Sequence, residues 1–200
     1  MERTTITRED TFNNKLSTPE NIRRYLDQMD EIQNKIPSYN GKSALLCGCF
    51  DLCHPGHLDL IAQAYMYEFE DGTYIDTLII ALNSDKSVKI LKGESRPIIN
   101  QEDRAFFLAS LTYVDFVTIF EEPGIDEVLK NIKTHYFIKS YQYLIDTLTA
   151  NERQLFKDYN IEPLFLPFYN NYSTTHLINQ MEANLKGLKC ICAERLSKQN

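Results

Sequence analysis

The sequence predicts an α/β domain built on a doubly wound parallel sheet of about five strands, with helices on both faces. Short apolar runs rich in β-branched and aromatic residues alternate with helical patterns through most of the chain. Such alternation is typical of a parallel sheet whose strands are joined by helices. The chain has 200 residues, enough for one substantial core, and composition changes nowhere in a way that would indicate a second core.

The N-terminal part is predicted to form a polar segment and a leading helix. Residues 1–16 are polar and expected to be frayed. Ser17 or Thr18 is a candidate N-cap, and Pro19 suits the first helical position that follows. We therefore expect three parts: an N-terminal segment over 1–40, the main domain over 41–185 and a C-terminal tail over 186–200.

Within the main domain, strands and helices are expected to follow one another in strict order. The strand at 43–50 ends in a turn, and the capping residues Asn100 and Thr149 mark the starts of two later helices. The predicted strands cover 43–50, 76–85, 115–120, 134–140 and 162–168, and the helices cover 54–69, 99–113, 124–133, 149–159 and 173–185. In such sheets ligands bind beyond the carboxyl ends of the strands.

Charge and composition narrow the classes of function. The formal net charge of -7 disfavours a protein that coats nucleic acid, because such binding needs clustered Lys and Arg. No apolar run approaches the roughly 20 residues of a membrane span, and the N-terminus lacks a signal-peptide pattern. The five cysteines are an odd number with three close together, which favours a reducing compartment. We expect a cytoplasmic protein that binds neither nucleic acid nor membrane.

The stretch GCFDLCHPGHLDLIAQA at 48–64 concentrates potential chemistry between the first strand and its helix. Its cysteines and histidines, together with Cys47, are zinc-ligand types. The geometry is poor for zinc, since Cys47 and Cys49 lie two apart on a strand and are expected to face the core. We therefore expect no metal caged by the protein.

Phosphate binding fits this stretch better. His54 and His57 are spaced i, i+3 in the first turn of a helix, where unpaired N–H groups and the helix dipole attract anions. Pro55 suits position N1, and Gly56 lets a ligand approach the backbone. Two imidazoles there could donate hydrogen bonds to a polyphosphate. For an isolated H-x-x-H pair, the alternative is one capping and one packed histidine.

GCFDLCHPGH resembles the signature of the H-x-G-H nucleotidyltransferase superfamily, which is cytidylyltransferase-like and Rossmann-like in fold. The segment 82–122, with its NSD, SVK, LKG and RP motifs, is similar to the D-glycero-β-D-manno-heptose 1-phosphate adenylyltransferases. YSTTHLI at 172–178 resembles the S-T-T motif of that family. The resemblance spans about residues 20 to 182 and implies transfer of a nucleotide to a sugar phosphate, with pyrophosphate released.

The resemblance implies roles for particular residues. His54 and His57 would hold the α- and β-phosphates, and Lys92 and Arg96 would reach the phosphates or the incoming sugar phosphate from a loop that Gly93 allows to close. An ordinary solvated basic loop is the alternative for Lys92 and Arg96. The remaining expected nucleotide contacts are Cys49, Phe50, Asp51, Gly56, Arg104, Lys139, Ser173, Thr174 and Thr175, and the expected acceptor contacts are Asn83, Asp85 and Gly93.

Several of these residues have simpler alternatives. Arg104 either helps to bind phosphate or forms an exposed helix pair with Asn100 or Glu102. The hydroxyls of 173–175 either bind the triphosphate or only cap a helix. Asp51 either assists a Mg²⁺-bound triphosphate or fixes the turn by accepting backbone hydrogen bonds. Asp85 either contacts the acceptor or caps the short helix that follows.

One segment departs from the family pattern. The family follows its fourth strand with a lysine and a Gly-Gly-Asp-Tyr type run, whereas this chain has Lys139 followed by Ser140, Tyr141, Gln142 and Tyr143. We expect a nucleotidyltransferase that uses ATP and a sugar 1-phosphate, with Mg²⁺ carried by the triphosphate and a homodimer as a possible assembly. The alternatives are CTP transfer to a phosphoalcohol such as glycerol phosphate, or a nucleotide-binding protein without turnover.

Overall fold

The computed structural model describes residues 15–36, 40–140, 148–167 and 173–197, with side chains of the last segment described up to residue 186. Strands and helices alternate along these ranges, as expected. The elements are α1 Pro19–Lys35, β1 Lys42–Gly48, α2 Pro55–Tyr65, β2 Ile75–Asn83, α3 Asp85–Lys92, α4 Gln101–Ala109, β3 Phe116–Phe120, α5 Asp126–Ile132, β4 Tyr136–Ser140, α6 Ala150–Asp158, β5 Glu162–Leu166 and α7 Thr174–Ser197.

The five strands form one parallel sheet in the order β3-β2-β1-β4-β5. Strand β1 lies at the centre, where Leu46 is in register with Ile80 of β2 and with Ile138 of β4. The chain adds β2 and β3 on one side of β1 and then returns to add β4 and β5 on the other. The carboxyl ends of β1 and β4 therefore flank the switch point at which doubly wound sheets bind their ligands. The predicted fold class is confirmed.

Hydrophobic residues cover both faces of the sheet. On one face, Leu46 and Ile80 pack against Ile61 of α2 and Leu108 of α4. On the other face, α1, α5 and α6 pack against the sheet, and the cluster there includes Leu45, Ile79, Ile22, Leu129 and Phe156. Strands covered on both faces need apolar residues at consecutive positions, which explains the unbroken apolar runs in the sequence.

Side-chain caps begin several helices. Thr18 caps α1 with Pro19 at the start of the helix, Asn100 caps α4, and Thr149 forms a reciprocal capping box with Glu152 at the start of α6. These three predicted caps are confirmed. Ser84 caps α3, so the alternative in which Asp85 caps this helix is wrong.

Some predicted boundaries were wrong. The helix predicted to reach Phe69 ends at Tyr65, because Glu68 and Tyr74 pair as an antiparallel bridge in the crossover that follows. Leu16 pairs with Val117, and the ammonium of Lys15 donates to the carbonyls of Leu111 and Val114 at 2.9 and 2.6 Å, so these two residues are not frayed. Residues 1–14 lie outside the described ranges.

Helix α7 continues from Thr174 to Ser197 and crosses the expected boundary between the main domain and the tail at 185/186. The division of the chain into three parts stays a prediction. In the ranges that the structure describes, no helix combines the length and apolar character required to span a membrane.

Replacing Ile79 in β2 by alanine tests how much the packed sheet contributes to stability. Ile79 is fully buried between two strands and a helical layer. Its loss leaves a cavity, so we expect the free energy of unfolding to fall by about 2–5 kcal/mol in urea denaturation. Ile90→Ala is the matched control, since Ile90 is 62% exposed on α3, and we expect it to change stability by less than about 0.5 kcal/mol. Equal effects would contradict the placement of Ile79.

Candidate active site

The turn after β1 holds a strained backbone. Phe50 and Leu52 have φ angles of 46° and 49°, the left-handed region that side chains with a Cβ rarely adopt. Gly48 precedes them, and a Cβ there would lie 2.9 Å from the Phe50 ring. Strained conformations persist where the surrounding structure fixes them, and they cluster at functional sites. The strain brackets Asp51, whose contacts hold the turn.

Asp51 is buried and joins the turn to the segment between α3 and α4. Its carboxylate accepts hydrogen bonds from the backbone N–H groups of Ile98 and Ile99 at 3.0 Å and from Arg96 Nε at 2.5 Å. Burial by itself raises the pKa of Asp51, but these hydrogen bonds outweigh it and hold the pKa below its usual value. The structure supports the alternative in which Asp51 accepts backbone hydrogen bonds, with donors from a neighbouring loop.

His54 and His57 lie together at the N-terminus of α2. Their rings stack with centroids 3.8 Å apart, and the Phe50 ring lies 5.1 Å from that of His57. His54 occupies the N-cap position without a side-chain capping hydrogen bond, so its alternative role as a capping side chain is wrong. His57 Nδ1 is buried and has no hydrogen-bond partner among the described residues.

Both imidazoles are neutral near pH 7. Burial lowers the pKa of His54, and burial together with the neighbouring His54 lowers the pKa of His57 to about 4. A neutral imidazole keeps one N–H donor and one acceptor nitrogen. The pair adds hydrogen-bonding groups to the N-terminus of α2, where the helix dipole favours an anion.

Arg104 of α4 is almost completely buried and connects the carboxyl ends of β1 and β2. Its guanidinium donates to the carbonyl oxygen of Cys49, to that of Asn83 at 2.9 Å and to that of Ile99 at 2.9 Å, and it pairs with the Asp85 carboxylate at 2.7 Å. The alternative of an exposed helix pair with neighbouring residues is therefore wrong. Acceptors within the protein already bind the donors of Arg104. A role for Arg104 in phosphate binding stays a prediction.

Asn83 and Asp85 also lie in this network. The buried Asn83 amide donates to Ser87 Oγ at 2.9 Å, and the Asp85 backbone N–H donates to the Gln101 side chain at 2.9 Å. The Asp85 carboxylate pairs with Arg104. Acceptor binding by Asn83 and Asp85 stays a prediction.

The loop between α3 and α4 brings cations to the site. Gly93 ends α3 with a φ of 97°, a conformation that favours glycine. Lys92 is exposed, whereas Arg96 is bound to Asp51, so a solvated loop does not account for Arg96. Burial raises the pKa of the Cys49 thiol, and the positive charges of Lys92, Arg104 and Arg96 act against this rise. Three cations therefore act on the Cys49 thiol, and one of them, Arg104, also donates to the Cys49 carbonyl.

The N-terminus of α7 contacts the turn after β1. Thr174 Oγ1 donates to the carbonyl oxygen of Asp51 at 2.5 Å, and Ser173 Oγ accepts the His176 backbone N–H at 3.1 Å. Thr175 is exposed in the same helical turn. The start of α7 thus lies beside the turn that leads to His54, although the two segments are far apart in the sequence.

Lys139 lies at the end of β4, on the other side of the switch point. Its ammonium pairs with the Glu152 carboxylate of α6 at 2.7 Å. The changed segment begins at Ser140, the last residue of β4, while Tyr141, Gln142 and Tyr143 lie outside the described residues.

Sequence analysis missed the partners that fix the site. Ile98 and Ile99 act through backbone N–H groups, and Gln101 and Glu152 act through side chains on helix starts. Backbone donors leave no signal in residue type, and the place of Glu152 three residues after Thr149 indicates only a capping box. No pattern in the sequence pairs it with Lys139.

A protein cage for a metal ion does not form among the described residues, which hold no group of three or more His, Cys, Asp or Glu close enough to bind one. Asp51 and Asp85 already pair with Arg96 and Arg104. The expected Mg²⁺, carried by a triphosphate, stays a prediction.

The fold and site define a Rossmann-like α/β protein with two stacked histidines at a helix N-terminus beside its switch point. The model of the cytidylyltransferase-like family matches residues 45–180. The chain belongs to this family, so the family resemblance predicted from its H-x-G-H stretch is confirmed.

Curated relatives are consistent with this family. The chain is 38% identical over 164 residues to the bifunctional protein HldE of Aliarcobacter butzleri, covering 80% of this chain and 31% of that protein. It is 34% identical over 161 residues to HldE of Helicobacter pylori strain G27, covering 80% and 30%. The chain thus spans about a third of the length of these relatives.

One solved structure, the lipopolysaccharide core biosynthesis protein of Thermoplasma volcanium GSS1, is more distant. It has a TM-score of 0.46 and 18% sequence identity, and the match covers 66% of this chain and 98% of that one.

Arg104→Lys tests the buried guanidinium. Lysine keeps the charge but lacks the planar fork, so carbonyl acceptors at the ends of β1 and β2 would lose their donors. We expect the free energy of unfolding to fall by about 2–4 kcal/mol in urea denaturation. Arg153→Lys on the exposed side of α6 is the control, and similar losses in both variants would contradict the assigned network.

The lowered pKa of His57 predicts a pH effect. The pKa of His57 is about 4 in the folded protein, whereas its ordinary value is 6.5. As the pH falls, His57 therefore takes up a proton in the unfolded chain before it does so in the folded protein. The His57 contribution to stability is complete above about pH 6.5 and is lost progressively between about 6.5 and 4. Imidazole NMR titration should place the His57 midpoint near 4, and a midpoint near 6.5 would contradict its burial. His57→Gln should lose less stability than the wild type between pH 7 and 5.

Proposed function

We propose that this chain transfers AMP from ATP to a sugar 1-phosphate, such as heptose 1-phosphate, and releases pyrophosphate. The observation that carries the proposal is the stacked, neutral pair of His54 and His57 at the N-terminus of α2, placed beside the start of α7. Similarity to proteins named HldE and the motifs in 82–122 support the choice of a sugar phosphate as acceptor.

In this reaction an oxygen of the sugar phosphate attacks the α-phosphorus of the nucleotide. The new P–O bond forms as the bond from the α-phosphorus to the pyrophosphate oxygen breaks, and pyrophosphate leaves with its electron pair. No protein nucleophile is needed, so positioning and charge stabilisation supply the catalysis. Mg²⁺ bound to the triphosphate would neutralise part of its charge.

The chain's own residues have distinct parts in this scheme. The imidazole N–H groups of His54 and His57, at the positive end of the α2 dipole, bind the α- and β-phosphate oxygens. Lys92, exposed at the end of α3, reaches phosphate oxygens, and Arg96 does so from its place beside Asp51. The hydroxyls of Ser173 and Thr175 at the start of α7 bind the triphosphate, while the Thr174 hydroxyl, whose proton is donated to the Asp51 carbonyl, holds this helix start beside the turn.

A second candidate is CTP transfer to a phosphoalcohol such as glycerol phosphate. The match of residues 45–180 to a cytidylyltransferase-like model favours it. The choice between bases depends on contacts that the described residues do not identify. A third candidate, nucleotide binding without turnover, is motivated by the changed segment that begins at Ser140.

Pyrophosphate release measured with ATP and with CTP, in Mg²⁺ and across a panel of sugar 1-phosphates and phosphoalcohols, tests these candidates. We expect release with ATP and a heptose 1-phosphate, and we expect His57→Ala to lower kcat at least about 100-fold, as for removal of one transition-state donor. His135→Gln is the matched control. His135 directly precedes β4, at the amino ends of the strands and away from the site, and its Nδ1 contacts Ser43 Oγ at 2.8 Å. Melting curves of both variants verify folding.

Pyrophosphate release only with CTP would contradict AMP transfer from ATP and support the second candidate, CTP transfer to a phosphoalcohol. Nucleotide binding without release for any acceptor would contradict the proposed transfer and favour the third.

A further inference from the structure

Glu152 makes two hydrogen bonds, one to the end of β4 and one to the start of α6. Its Oε1 accepts from the Lys139 ammonium at 2.7 Å, and its Oε2 accepts from the Thr149 backbone N–H at 2.8 Å. Lys139 is the last residue but one of β4, and Thr149 is the N-cap of α6. A single carboxylate therefore ties the end of β4 to the start of α6.

The ion pair lies largely out of water. The side chains of Lys139 and Glu152 are only 17% and 15% exposed. Burial alone raises the pKa of Glu152, but hydrogen bonds from the Lys139 ammonium and the Thr149 backbone lower it below its usual value. The carboxylate is thus ionised at neutral pH, and its pair with Lys139 is screened less than a surface pair.

Helix capping alone does not require this arrangement. A capping box needs one side-chain oxygen at the third helical position, and glutamine serves there as well as glutamate. The second oxygen of Glu152 contributes nothing to the cap, yet it lies at hydrogen-bond distance from a cation. The charge of Glu152 therefore serves Lys139.

Lys139 lies at the carboxyl end of β4, beside the switch point at which doubly wound sheets bind their ligands. Leu46 of β1 is in register with Ile138 of β4. Lys139 is the next residue of β4 and lies near the carboxyl ends of these two adjacent strands. Its positive charge also acts on the Cys47 thiol of β1. A lysine ammonium sits on a flexible four-carbon chain and keeps one position only when other groups hold it.

We infer that Glu152 is a positioning residue for the transfer reaction, which holds the Lys139 ammonium at the edge between β1 and β4, where it attracts the anionic nucleotide. The inference rests on the proposed function. A positioning role differs from a purely structural role because nucleotide binding, which can be measured, then depends on the charge of Glu152.

Glu152→Gln tests this inference with little change to the fold, because the glutamine keeps the cap and loses the charge. We expect the KM for the nucleoside triphosphate to rise roughly five- to tenfold, because Lys139 remains but its ammonium is held less firmly, while kcat changes less than about twofold. Thr149→Ala is the matched control: it removes the capping hydroxyl and leaves Lys139 paired, so the melting temperature should fall without a change in KM.

A double-mutant cycle with Lys139→Gln separates positioning from structure. If Glu152 acts through Lys139, Glu152→Gln has no further effect on KM in the Lys139→Gln background. An unchanged or lowered KM in Glu152→Gln, or equal effects with and without Lys139, would overturn the inference. Failure of the proposed function is separate, because it would appear as absent turnover in the wild-type protein.

Discussion

The buried guanidinium of Arg104 is the interaction on which the rest of the site depends. It binds carbonyl oxygens at the ends of β1 and β2, a third carbonyl just before α4, and the Asp85 carboxylate. A buried charge is stable only when its donors are satisfied, so these four acceptors and Arg104 must be placed together. The segments that surround the switch point therefore have one mutual arrangement.

A second buried pair extends this arrangement to the turn after β1. Asp51 binds Arg96 and two backbone N–H groups of the α3–α4 loop, while its own carbonyl accepts from Thr174. These bonds offset the strain at Phe50 and Leu52. The result is that several hydrogen bonds fix the turn that leads to His54 and His57.

Much of the fold followed from local patterns. Apolar runs and helix caps at Thr18, Asn100 and Thr149 predicted the order of elements, because hydrophobic periodicity and capping depend on residues near in sequence. The end of α2 could not be predicted in this way, since pairing of Glu68 with Tyr74 stops the helix and depends on the hairpin beyond it. The sequence likewise places only helical neighbours beside Arg104, whereas its carbonyl acceptors come from the ends of β1 and β2.

The sequence by itself determined the α/β class, the place of His54 and His57 at the start of a helix, and the family to which the chain belongs. Each of these is a property of residue types at short, fixed spacing. The tertiary structure decided which charges are used within the protein: Arg96 with Asp51, Arg104 with Asp85, and Lys139 with Glu152. The physical reason is burial, because the energy of an ion pair depends on desolvation and on partners brought together by the sheet, and spacing along the chain encodes neither.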